Sequence, residues 1–165
     1  MSSPDRRIFL GFALLAGGLF SGCGFTPAYA PGGGANALTG AVRAADPTDK
    51  NGFDLVQRLE ERFGRPQIAR FDLGYTIGVK AIAVGVTPDG AITRYNLSGA
   101  IDWTLTDMAG ARAAGGIVDS FTSWSATGST VAGITAEEDA YTRLMRILAD
   151  QIVVRLLAIS STLSP

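Results

Sequence analysis

Between Ile68 and Asp107 the chain alternates. Phe71, Leu73, Tyr75, Ile77 and Val79 occupy every second position, with Arg70, Asp72, Thr76 and Lys80 among the residues between them. Further on, Tyr95, Leu97, Ile101, Trp103 and Leu105 alternate with Arg94, Asn96, Ser98, Asp102 and Thr104. A period of two with one apolar face predicts two half-buried strands, Ile68–Val86 and Ala91–Asp107. Pro88-Asp89-Gly90 lies between them. It reads as a three-residue hairpin loop, a type I turn at Pro88 and Asp89 with Gly90 left-handed. Thr87 then faces Ala91, and paired residue numbers sum to 178. That register sets Tyr75 against Trp103, Ile77 against Ile101 and Leu73 against Leu105. A two-residue loop would set buried positions against exposed ones, which a sheet resists.

Other stretches follow the helical period. Asn51–Phe63 carries Phe53, Val56, Leu59 and Phe63 as one stripe, with Arg58, Glu61 and Arg62 mostly on the other side, and Gly64 and Pro66 end it. Thr135-Ala136-Glu137-Glu138 has the form of a capping box. The helix it opens runs to about Ile159, with Tyr141, Leu144, Leu148, Ile152 and Leu156 as its stripe. Asp139 with Arg143, and Arg146 with Asp150, are spaced for surface ion pairs. Leu38–Ala45 reads as a short strand. Gly115–Ala126 reads as a third antiparallel strand after a connection at Met108–Ala114, its alternation too poor to assign Trp124 to a face. Trp103, opposite Tyr75, belongs to the core. The expected class is therefore α+β: a two-layer sandwich, two helices on one face of a four-stranded, mostly antiparallel sheet.

The N-terminal pattern differs. Arg6 and Arg7 precede thirteen uncharged residues, Ile8–Phe20, then Ser21, Gly22 and Cys23, the one cysteine of the chain. A membrane-spanning helix needs about 20 apolar residues, so this run reads as an export signal, residues 1–22. The junction resembles a bacterial lipobox, although Leu19 stands one place further from the cysteine than usual and Phe20 takes its position. The resemblance implies cleavage before Cys23 and a covalent S-diacylglyceryl and N-acyl (palmitate) lipid on it. Gly24, not Asp, follows, which in Gram-negative lipoproteins implies the outer membrane. Residues 23–37, rich in Gly, Pro and Ala, read as a lipidated flexible tether, 38–160 as one domain and 161–165 as a C-terminal tail.

Composition narrows the chemistry. Of 14 basic and 15 acidic residues, cleavage before Cys23 leaves 12 and 14, a net charge of −2 with no block of like charge, so nucleic acid is not an expected partner. There is no histidine. That removes Ser-His-Asp triads, Cys-His pairs and His-ligated metals, and an acylated Cys23 leaves no thiol. Asp102 and Asp107 are five apart on one strand and point to opposite faces, so they do not form a carboxylate pair. No enzyme, cofactor or metal is expected.

The "GCGFTPAY" start, the strand–helix–three strands–helix order and the ending "ITAEEDAYTRLMRILADQIVVRLL" resemble the lipopolysaccharide (LPS)-assembly lipoprotein family, LptE. The resemblance implies an outer-membrane partner of the LPS-translocating β-barrel LptD, seated partly inside it, supporting its assembly and contacting LPS. An auxiliary lipoprotein of an ABC-type lipid-transport system is the alternative. The residues themselves suggest a contact surface. Near the hairpin tip Ile82, Val84 and Val86 point outward, Ile92 stands opposite Val86, Arg94 opposite Val84, and Lys80 lies two residues from Ile82. An apolar patch rimmed by positive charge suits acyl chains beside phosphates.

Overall fold

The computed structural model describes residues 34–127 and 129–163. The leader, Cys23 and tether residues 24–33 lie outside the described residues. Helix α1 spans Gly34–Leu38, strand β1 Val42–Ala44, helix α2 Lys50–Phe63, strands β2, β3 and β4 Phe71–Val86, Ile92–Asp107 and Arg112–Ser125, and helix α3 Thr130–Ile159. The strands form one open mixed sheet in the order β1-β2-β3-β4, with β1 parallel to β2 and the other pairs antiparallel. Among the described residues three helices accompany it, not two. The extra one, α1, takes up residues expected to be tether, because Ala35 and Leu38 are apolar enough to bury. At the other end Leu163 is buried as well, so packing extends into the expected tail.

The β2–β3 register has the sum 178 from Phe71↔Asp107 to Ala83↔Tyr95, and again at Val86↔Ile92. The loop closes as its residues dictate: Thr87 N–H donates to Ala91 O at 2.9 Å, Gly90 N–H to Thr87 O at 2.9 Å, and Gly90 has φ +87°. A second loop of the same kind joins β3 to β4. Gly110 has φ +84°, and the Asp107 carboxylate accepts from Ala109 and Ala111 N–H at 2.9 and 2.8 Å. β4 therefore begins at Arg112, earlier than the expected Gly115.

One face of the sheet is buried. It carries Phe71, Leu73, Leu97, Ile101, Trp103, Leu105, Val118 and Trp124. Trp124 stacks on Tyr95, ring centroids 4.9 Å apart, which settles its face. Leu144, Leu148, Ile152 and Leu156 of α3 are fully buried, as its stripe predicts, and Met145, Ala149 and Val153 widen that face. At Gly99 the helix comes so close that a Cβ would lie 2.9 Å from Leu144 Cδ2.

Two helix details differ from expectation. The buried residues of α2 are Gly52, Leu55, Leu59 and Phe63; Phe53 is exposed and Val56 half-buried. α3 starts before Thr135, capped by the Ser129 hydroxyl accepting from Ala132 N–H at 3.3 Å. Thr135 is interior, its hydroxyl donating back to Val131 O at 3.1 Å, so it closes no capping box.

Candidate lipid-binding face

The opposite face of the sheet is built from the alternate residues. Because β3 and β4 pair without a shift from Arg94 to Leu105, parity assigns Arg94, Asn96, Ser98, Ala100 and Asp102 to one outward row. Ile82, Lys80 and Gly78 of β2 stand beside Asn96, Ser98 and Ala100. Ser123, Phe121, Asp119 and Ile117 of β4 flank Asn96, Ser98, Ala100 and Asp102 on the other side.

Ile82, Val84, Val86 and Ile92, expected to point outward, are 47%, 49%, 62% and 39% exposed. Lys80 and Arg94 are exposed too. Of the pairings expected here, Val86↔Ile92 is present and Arg94↔Val84 is not. Arg94 pairs with Gly85, because Val84 is an extra residue in β2 and Thr93 an extra one in β3. The two bulges restore the residue sum at Val86↔Ile92 but remove one row, so alternation puts Val86 and Ile92 on the face opposite to Arg94 and not, as expected, beside it. Lys80, Ile82 and Arg94 thus occupy three successive rows of one face.

The charges there are unspent. Among the described residues the ion pairs of Arg43, Lys50, Arg58, Arg62, Arg65 and Arg143 engage other parts of the surface; neither Lys80 nor Arg94 has an acidic partner. Asp119 and Asp102 lie on the same face but further from the tip than Lys80. Asp102 is exposed on its strand while Asp107 caps a turn, so the two form no catalytic pair. Among the described residues there is no acidic, Cys or His cluster suited to a metal ion, and no helix long and apolar enough to cross a membrane.

Sequence reasoning missed two members of this face. Ile117 is 58% and Phe121 73% exposed. Gly115, Gly116 and the serines blur the period of β4. The register Tyr95↔Trp124, which fixes the inward tryptophan and so the outward Phe121, is visible only once the second hairpin loop is recognised.

Solved structures share the fold. A candidate lipoprotein from Caulobacter crescentus CB15 is 22% identical, with a TM-score of 0.67 over 80% of this chain and 98% of that one. Rare lipoprotein B from Shewanella oneidensis is 14% identical, with a TM-score of 0.57 over 74% and 96%. A minor lipoprotein from Acinetobacter baumannii is 15% identical, with a TM-score of 0.53 over 72% and 89%. No curated protein matches the chain. The class is thus a small α/β domain of a kind found in bacterial lipoproteins. Residues 39–156 match the family model of LptE, lipopolysaccharide-assembly, and the chain belongs to that family.

Proposed function

We propose that this chain is a non-enzymatic outer-membrane lipoprotein, acylated at Cys23, that partners the LPS-translocating β-barrel LptD, supports its assembly and contacts LPS through the outward face of its hairpin. In this reading the helices form one layer and the sheet the second, leaving the second layer's far face for partners. The observation that carries it is the pair of unpartnered cations, Lys80 and Arg94, flanking exposed Ile82. Phosphate beside acyl chain is the chemistry such a patch complements.

The test is affinity purification of the detergent-solubilised lipoprotein, with LPS binding measured on the same material. We expect copurification with a large β-barrel. Lys80→Glu with Arg94→Glu should weaken LPS binding and leave folding and barrel association intact. Recovery of an inner-membrane permease complex would point to ABC-type lipid transport instead. Loss of the barrel in the double variant would reassign the patch to the protein partner. Cys23→Ala should leave the precursor uncut before residue 23; mature wild-type protein with an unacylated N-terminus, by intact mass, would refute the anchor.

A further inference from the structure

The outward face dips below its rim. Gly78, Ser98 and Ala100 lie at the bottom of an open hollow of about 540 Å³, with Lys80 and Phe121 on either side of Ser98 and Asp119 bordering it beside Ala100. Gly78 does not have positive φ, and a Cβ there would meet only Ala100 O, at 3.9 Å. Neither backbone conformation nor crowding asks for glycine. Glycine within a strand weakens it and marks a bulge, a bend, or the close approach of a ligand or another backbone; Gly78 lies where the register is unshifted, which leaves close approach. Phe121 points the same way: its phenyl ring is 73% exposed beside a floor of small side chains.

We propose that this trough seats one acyl chain of lipid A, the phosphorylated, acylated part of LPS. The chain runs along β3 over Ser98 and Ala100, with Ile82 and Lys80 on the β2 side and Phe121 on the β4 side, and ends short of Asp102. Neighbouring strands are about 4.8 Å apart, so the side chains on β2 and β4 stand roughly 10 Å apart across a floor of small residues. That gap suits one alkyl chain. The charges set its direction: Arg94 and Lys80, without acidic partners, hold phosphate toward the hairpin tip, while Asp119 and Asp102 repel it from the other end. The inference rests on the reading that this face binds LPS and adds what the tip patch lacks, a second apolar wall on β4.

Two variants of the full-length lipoprotein in detergent separate the trough from the patch. Gly78→Leu fills the floor, and Phe121→Ser removes a wall at a position too exposed to support folding. Each should weaken binding of intact LPS about tenfold, the loss expected when most of one apolar contact is removed. Each should leave unchanged the weaker binding of LPS stripped of its acyl chains, whereas Lys80→Glu should weaken both. Unchanged affinity for intact LPS in both trough variants would overturn the trough; the patch reading would survive if Lys80→Glu with Arg94→Glu still binds poorly. Failure of the wild type to bind either form would overturn both. Phosphatidylglycerol vesicles bound as tightly, with the same sensitivity to Gly78→Leu, would overturn the commitment to lipid A.

Discussion

Tyr75 occupies the core side of β2 and pairs across the sheet with Trp103, yet its hydroxyl is buried without a hydrogen-bond partner, as is Trp103 Nε1. The hydroxyl sits over the first turn of α2, where a Cβ on Gly52 would lie 3.2 Å from it. Burial, and then the nearby negative charges of Asp49 and Asp46, raise the phenol above its ordinary value of 10.0. The folded state therefore favours the protonated phenol. Its contribution is complete below pH 10 and is lost as pH rises through the folded value. Tyr75→Phe removes an unsatisfied polar atom and the titration together. It should leave stability unchanged or raise it by up to about 1 kcal/mol at neutral pH. Thermal melts taken above and below pH 10 check this: the wild type should lose stability on the alkaline side more steeply than Tyr75→Phe. Parallel curves would show that the hydroxyl is solvated.

Between elements, the decisive contact is one that local spacing misreads. Asp150 is four residues from Arg146, but its carboxylate turns to α2, where Arg58 Nη2 lies at 2.9 Å and Arg62 Nε at 3.3 Å. Arg58 is also held by Glu61 at 3.0 Å. Asp139–Arg143, at 2.8 Å, does form within the helix. The difference is what each carboxylate faces: Asp150 borders the helix–helix seam. Two residues earlier, Leu148 is fully buried against the sheet at Gly99. Leu148→Ala should cost about 2–5 kcal/mol. Asp150→Ala, which frees two partly exposed arginines, should cost about 1 kcal/mol or less, in a salt-dependent way. Arg146→Ala, at an exposed residue, should change stability by less than about 0.5 kcal/mol. Urea unfolding of the three variants gives the order; equal losses for Arg146 and Asp150 would favour the pair within α3. The same contrast explains what was legible in the sequence. The first hairpin, its register and the buried leucines of α3 follow from period and turn chemistry over long runs. The start of α3, the stripe of α2 and the second loop do not. Ser129 caps eleven residues before the first buried one, Ala140, and Asp107-Met108-Ala109-Gly110 lacks the proline that marks Pro88-Asp89-Gly90. The cationic side of the site was readable because Lys80 and Arg94 fall on a well-marked alternation. Phe121 was not, because β4 is rich in glycine and serine and its phase comes only from its neighbour.

At the scale of the molecule, the fold separates two ends. β1 pairs with the first residues of β2, Phe71–Leu73, so the chain enters β1 from α1 at the base of the sheet. The β3–β4 turn at Met108–Gly110 is at the base as well, since Asp107 pairs with Phe71. The tip at Pro88–Gly90 lies beyond the far end of β2, whose 16 residues span roughly 50 Å. If Cys23 carries the lipid, residues 24–33 reach at most about 35 Å even fully extended. The anchor then draws the base toward its leaflet and leaves the apolar tip directed away from it. Because Cys23 is the one cysteine and acylation consumes its thiol, an introduced cysteine can be labelled uniquely. A fluorophore attached through Ala109→Cys at the base, or Asp89→Cys at the tip, should report this polarity in vesicles that contain brominated phospholipid and no protein partner. Quenching should be stronger at the base than at the tip. Equal quenching would mean that the domain lies flat on the bilayer, with its hairpin in the same leaflet as its anchor, and the tip would then be a membrane contact rather than a surface held out for a partner.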